Sequence, residues 1–279
     1  KTLVPAGAEG KLYQWVAILT GSKNALKGVG FFLGGALLSL FGFQTAILIM
    51  AVALLVVWVF SVLTLKSQLG KASAKPKFKE IFSKSSTINY LSAARLFLFA
   101  ARDVWFVVAL PVYLASQFNW DHWYVGGFLA LWVIGYGAVQ SFAPYFTGKK
   151  QGKVPDGKSA LAWAAMLAIV PAIIALALSS DWHSQAILIG GLLVFGGLFA
   201  VNSSMHSYLI VSYAGKDGVS LDVGFYYMAN AMGRLIGTLL SGWVFQQYGL
   251  EACLWISSGL IALAAIISIK LPQHDTAKT

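Results

Sequence analysis

The stretch "KGVGFFLGGALLSLFGF", residues 27–43, has a counterpart 207 residues later, "RLIGTLLSGWVFQQYGL", residues 234–250. Aligned without gaps, the two match a cation with a cation (Lys27, Arg234), Gly30 with Gly237, Leu33 with Leu240, Gly34 and Gly35 with Ser241 and Gly242, and Gly42 with Gly249. Both are too apolar for the surface of a soluble domain and too rich in small residues for an ordinary core helix. In lipid, small residues let helix backbones approach closely. A duplicated membrane segment of this kind points to a transporter built from internal repeats.

The whole chain agrees. Of 279 residues, 58% are hydrophobic and 11% are charged, with a mean hydropathy of +0.73; soluble domains carry about 25% charged residues. Stretches long enough for a bilayer, about 20 residues each, run over 13–40, 43–65, 88–115, 122–147, 159–179, 185–212, 222–246 and 250–270, eight in all. Lysines alternate strictly between their connections. The second connection holds Lys66, Lys71, Lys75, Lys77, Lys79 and Lys84, and the fourth, "GKKQGKVPDGK", holds four lysines. The sixth has Lys216, whereas Gly42, "SQFNWDH", "SSDWHSQ" and "QQYGLE" have no Lys or Arg. The positive-inside rule therefore expects both ends and the basic connections in the cytoplasm. Trp120, Trp123 and Trp182 fall where interfacial aromatics are expected. The net charge of +10 is dispersed between apolar stretches and forms no basic stripe, which argues against a nucleic-acid partner.

The repeat joins the first span to the seventh, six helices apart, as in two six-helix halves related by an axis along the membrane normal. Residues 1–65 then supply the last two helices of an N-terminal half, 66–87 a basic cytoplasmic linker, 88–272 a complete C-terminal six-helix half and 273–279 a cytoplasmic tail. Four further helices are expected upstream of Lys1.

The intramembrane charges are Lys23, Lys27, Arg95, Arg102, Asp103 and Arg234, five cations to one anion. Lys23 and Lys27 are four residues apart and Arg95 and Arg102 seven apart, so each pair shares a helical face. Lys27, Arg102 and Arg234 fall near mid-membrane depth at a rise of about 1.5 Å per residue. Charges at that depth cost at least about 2.5 kcal/mol and usually serve a pathway or a partner. A cation surplus fits an anion site, with Arg suited to phosphate-like groups through its planar fork. The same cations could instead pair with acids on other helices or, for Lys23 and Arg95, reach to the interface. Asp103 has two readings, pairing with a cation on another helix or exchanging a proton during transport. Adjacent residues on a helix do not face each other, so Asp103 is not expected simply to neutralise Arg102. In "NSSMHSY", Asn202 and His206 are four apart; they either glue helices together or line the cavity, His206 with a titratable proton. One cysteine, Cys253, offers no disulfide framework and no thiolate metal site. Nothing calls for a cofactor, and no Ser/His/Asp constellation suggests an enzyme.

On the repeat, the topology and two motifs, the chain resembles the major facilitator superfamily as helices five to twelve of twelve, an all-α polytopic membrane fold. "GFFLGG", residues 30–35, is similar to the glycine motif of helix five in proton-coupled exporters, with Phe31 in place of its proline. "TGKKQGK", residues 147–153, is placed like the basic loop motif between helices eight and nine, with Lys149 where an acid is usual. Within that superfamily, "RDVWFVVALPVYL", "VGGFLALWVIGYG" and "LTGSKNALKGVGFFLGG" resemble the organoarsenical efflux permeases of arsenic-resistance operons. The resemblance implies export of 1-arseno-3-phosphoglycerate across a bacterial inner membrane. It also implies a functional link to the glyceraldehyde-3-phosphate dehydrogenase that makes the substrate, and a proton or phosphate counter-ion. Other organic phosphates, an anion channel and a non-transporting scaffold are the alternatives. Substrate contacts are expected at Lys27, Arg102, Arg234, Lys23, Arg95 and Asn202, and proton coupling at Asp103 and His206.

Overall fold

A computed structural model describes residues 8–64, 85–147, 154–180, 184–214 and 219–273. Every regular element among them is a helix: α1 (Glu9–Thr64), α2 (Ser86–Phe106), α3 (Ala109–Gln117), α4 (His122–Phe146), α5 (Gly157–Leu178), α6 (Ser184–Tyr213) and α7 (Val219–Ser268). Residues 66–84 of the basic linker, all of "TGKKQGK" after Thr147, Trp182, Lys216 and the tail beyond residue 273 lie outside the described residues.

Among the described residues, the eight apolar stretches become six continuous helical segments long and apolar enough to cross a membrane, α2 and α3 counting as one. The difference lies at two glycines. The first two stretches run together through Gly42 (φ 74°, ψ 173°) and the last two through Gly249 (φ 78°, ψ −175°), without an intervening loop. These are the positions that the repeat aligns. Both need a φ that side chains with a Cβ rarely adopt, which is why glycine stands at each.

Local chemistry sets the other boundaries. Asp121 caps α4, its Oδ1 accepting from the amides of Trp123 and Tyr124 at 2.9 Å each. Asp156 caps α5 through the amide of Ser159 at 2.9 Å. The third apolar stretch breaks at Val107–Val108, between α2 and α3. Pro111 cannot donate a hydrogen bond toward Val107 and its ring crowds that carbonyl. The amides released near the break are taken up by Ser241 of α7, whose Oγ accepts from Val108 at 3.3 Å and from Ala109 at 3.1 Å.

Helices here associate through close approach and hydrogen bonds, since lipid tails remove the usual hydrophobic drive. α2 and α7 lie so close at Gly237 that a Cβ there would sit 2.6 Å from the Ala100 carbonyl oxygen. Ser257 of α7 donates to the Ala101 carbonyl of α2 at 2.6 Å, and Ser258 to Ala168 of α5 at 2.6 Å. α1 packs along α4, where Gly137 meets the backbone of Ala25 and Asn24 donates to Gln140 at 2.6 Å. One core cluster centres on Trp105, edge-on to Phe195, Trp132 and Phe106. A second gathers Tyr13, Ile88, Leu91, Tyr208 and Tyr226. The outward faces, including most of residues 47–63, are exposed and apolar, as a surface meeting hydrocarbon must be.

Candidate functional site

A cavity of about 720 Å³ opens between α1, α2, α4 and α7, with Ser207 of α6 at its wall. Its charged lining is Lys23, Lys27, Arg95, Arg102, Asp103 and Arg234. Five cations against one carboxylate leave a net charge of four positive. The spacing explains the convergence. Positions 95, 99 and 102 are i, i+4 and i+7 on α2, Lys23 and Lys27 are i and i+4 on α1, and Asn230 and Arg234 are i and i+4 on α7, so each helix turns one stripe inward.

Asp103 organises the centre. It is fully buried, and its Oδ1 accepts from Arg102 Nε at 2.6 Å while Oδ2 accepts from Arg234 Nε at 3.0 Å. Asp103 does not simply neutralise Arg102, as expected, but it does contact that neighbour as well as a cation on another helix. Helical geometry separates the two Cβ directions by about 100°, but the arginine stem is long enough to fold back, and its Nη2 also meets Oδ1. The companion expectation, a cation on another helix, is met by Arg234 of α7. The carboxylate is thus shared across α2 and α7. Arg102 is 13% exposed and Arg234 49% exposed, so the α2 side of the triad is the desolvated one.

Arg102 also packs against rings, its guanidinium carbon 4.9 Å from the Phe99 centre and 5.4 Å from that of Phe199. Arg95 is 5% exposed. Its Nε donates to Asn230 Oδ1 at 3.1 Å, and its Nη1 donates to the Ser203 carbonyl and hydroxyl at 3.2 and 3.1 Å. Lys23 Nζ sits 5.7 Å from the Tyr227 ring centre. Among the described residues, salt bridges to a carboxylate are made by Arg102 and Arg234, and by neither Arg95, Lys23 nor Lys27.

Asn202 and His206 are not brought to this site. Both are buried in α6, away from the cavity lining. Asn202 Nδ2 donates to the carbonyls of Trp163 on α5 and Leu198, at 3.0 Å each, the helix-joining role. The same polar run does reach the cavity, through Ser207 and through Ser203 as partner of Arg95. Asn24, Gln140 and Asn230 also line the cavity and were missed in sequence. Gln140 was findable: it is the one amide in the long apolar run "FLALWVIGYGAVQ". Cys253 is buried in the core, away from the cavity.

A helical membrane chain with a charged cavity between its helices is the architecture of a transporter, and a family model described as Major Facilitator Superfamily matches residues 8–221. The chain belongs to the major facilitator superfamily. It is accordingly an integral membrane protein and a transporter, a class that binds small substrates without chemically converting them. No curated protein matches the chain, and no solved structure does.

Proposed function

We propose that the protein is a secondary active transporter of an organic oxyanion, working by alternating access. The observation that carries this is the cavity lining of five cations and one carboxylate. A positively charged site walled by low-dielectric protein concentrates anions, and guanidinium groups bind phosphate-like oxygens through paired hydrogen bonds. Several donors remain for a ligand: Arg234 engages Asp103 through Nε, and its two terminal amino groups make no hydrogen bond to described residues. Lys27, Arg102 and Arg234 form the oxyanion seat, and Lys23 adds charge on the α1 side. Asp103 holds the guanidiniums in place and is the group through which a proton could couple to transport.

The repeat supports eight membrane passes, helices five to twelve of a twelve-helix arrangement. At about 1.5 Å per residue the 56 residues of α1 and the 50 of α7 far exceed a hydrocarbon core of about 30 Å. Gly42 and Gly249 divide each into two passes. Gly237 receives α2, while its repeat match Gly30 has nothing within 4 Å, room for the equivalent helix of the other half. On this plan residues 1–65 belong to one half and 88–272 to the other, with the ends and the basic connections in the cytoplasm.

For the substrate, the extended resemblance favours 1-arseno-3-phosphoglycerate, exported across a bacterial inner membrane and conferring arsenate resistance. Glyceraldehyde-3-phosphate dehydrogenase would supply it, and a proton or phosphate would be the counter-ion. A phosphate and an arsenate with no cationic group suit the net positive cavity. The test is accumulation of the arsenylated compound, generated from glyceraldehyde 3-phosphate, arsenate and NAD+ by glyceraldehyde-3-phosphate dehydrogenase, in everted vesicles holding the native protein or its Arg234→Gln variant. Accumulation that the variant abolishes supports the arsenical and the cationic seat together. Uptake of phosphoglycerate or another organic phosphate in its place discards arsenic and keeps the seat. Flux that shows no counter-ion dependence and no saturation points to a channel and overturns the transporter mechanism.

A further inference from the structure

Arg95 is not needed by the Arg102–Asp103–Arg234 triad, and its environment is unusual. It is a buried guanidinium with no carboxylate partner among the described residues, held by an amide, a hydroxyl and a carbonyl that satisfy donors but cancel no charge. Burying an uncompensated charge is costly unless something pairs it. Its Nε and Nη1 are occupied, while Nη2 makes no hydrogen bond to a described residue. The residue nevertheless lines the same cavity as Arg102.

The Phe99 ring is in contact with both guanidiniums. The guanidinium carbons of Arg95 and Arg102 are 4.0 and 4.9 Å from its centre, so they are less than about 9 Å apart. Tyr226 also flanks Arg95, 5.2 Å from ring centre to guanidinium carbon. Arg95 is anchored to Asn230, whereas Arg102 shares Asp103 with Arg234, and Asn230 and Arg234 stand one turn, about 6 Å of helix rise, apart on α7, so the cationic ends are held at different levels of the cavity. The Phe99 ring gives an apolar surface on which the middle of a ligand can lie.

We propose that the cavity is a two-headed site for an extended dianion, a molecule with an oxyanion at each end of a short spacer. One head sits at Lys27, Arg102 and Arg234, and the other takes Nη2 of Arg95, with the spacer across Phe99. This rests on the oxyanion reading above and adds to it the shape of the substrate. A compact mono-anion would engage one end and leave Arg95 uncompensated.

The test is calorimetric binding of α,ω-alkylene bisphosphonates of two to eight carbons to the native protein in lipid nanodiscs, beside alkyl monophosphonates of the same lengths. Bisphosphonates of intermediate length should bind at least about tenfold tighter than the matching monophosphonate, with a clear optimum in chain length. In Arg95→Gln the advantage should fall below threefold, and Arg95→Lys should restore part of it. The length profile of the unmutated protein is itself decisive, so a variant that fails to fold does not blunt the experiment. Monophosphonates binding as tightly as bisphosphonates at every length, or a full two-headed advantage in a folded Arg95→Gln, would overturn the proposal. Binding of neither class would overturn the oxyanion seat, and the second head with it.

Discussion

Replacing Asp103 with asparagine removes the one carboxylate that lines the cavity among the described residues while nearly preserving shape. Asparagine keeps one acceptor oxygen but loses the charge that the two guanidiniums share, and turns an NH2 donor toward one of them. The Arg102 contact is almost wholly desolvated, and removing one member of a buried pair costs about 3–5 kcal/mol because the other is left uncompensated. The Arg234 contact is half exposed and adds little, about 0–1 kcal/mol. For a chain of this size about 3 kcal/mol corresponds to a fall of about 6–12 °C in the apparent melting temperature. The assay is thermal unfolding in detergent followed by intrinsic tryptophan fluorescence, with and without inorganic phosphate. Phosphate should recover more stability in Asp103→Asn than in the parent protein, since the anion can take the place of the lost carboxylate between Arg102 and Arg234. An unchanged melting temperature would show that the carboxylate does not tie α2 to α7. A phosphate response equal to that of the parent would show that the two arginines do not form an anion seat.

Gly237→Val should lower the apparent melting temperature and impair transport, because its Cβ would meet the Ala100 carbonyl oxygen at 2.6 Å and the Asp103 Cβ at 3.0 Å, whereas Gly242→Ala, with nothing within 4 Å, should leave both unchanged. Ser241→Ala strips the acceptor from the amides of Val108 and Ala109 and should cost about 1–3 kcal/mol, read from the same unfolding assay. Asn24→Ala and Gln140→Ala should be non-additive; a double-mutant cycle should return a coupling of about 0.6–1.7 kcal/mol, and a value near zero would remove the α1–α4 hydrogen bond from the account.

The membrane class, the helical segments and the inward stripes on α1 and α2 were legible because they depend on local periodicity, which a sequence states directly. So was the match of Gly42 with Gly249, the two glycines that have positive φ among the described residues. The count of separate helices was less legible, because a single glycine can mark a bend without any polar loop to announce it. Arg102 and Asp103 show another limit. Helical spacing gives the direction in which a side chain leaves the backbone, not where a long flexible one ends. Asn202 and His206 were correctly placed on one helix, but whether that face meets α5 or the cavity depends on the rotation of α6 within the bundle. Gln140 meets Asn24, 116 residues away in the chain, a pairing no local pattern encodes.

The break after α2 has a mechanical consequence. Ser257 braces α7 to α2 at the Ala101 carbonyl, and Ser241 braces it at the amides of Val108 and Ala109. The two struts stand on either side of Arg102 and Asp103, so torsion of α2 about its own axis, or bending at the joint, must break at least one of them. The interrupted helix is therefore splinted by its neighbour at the point where it would otherwise be most compliant. On the proposed alternating access, α2, α3 and the segments of α7 that carry Ser241 and Ser257 would move together.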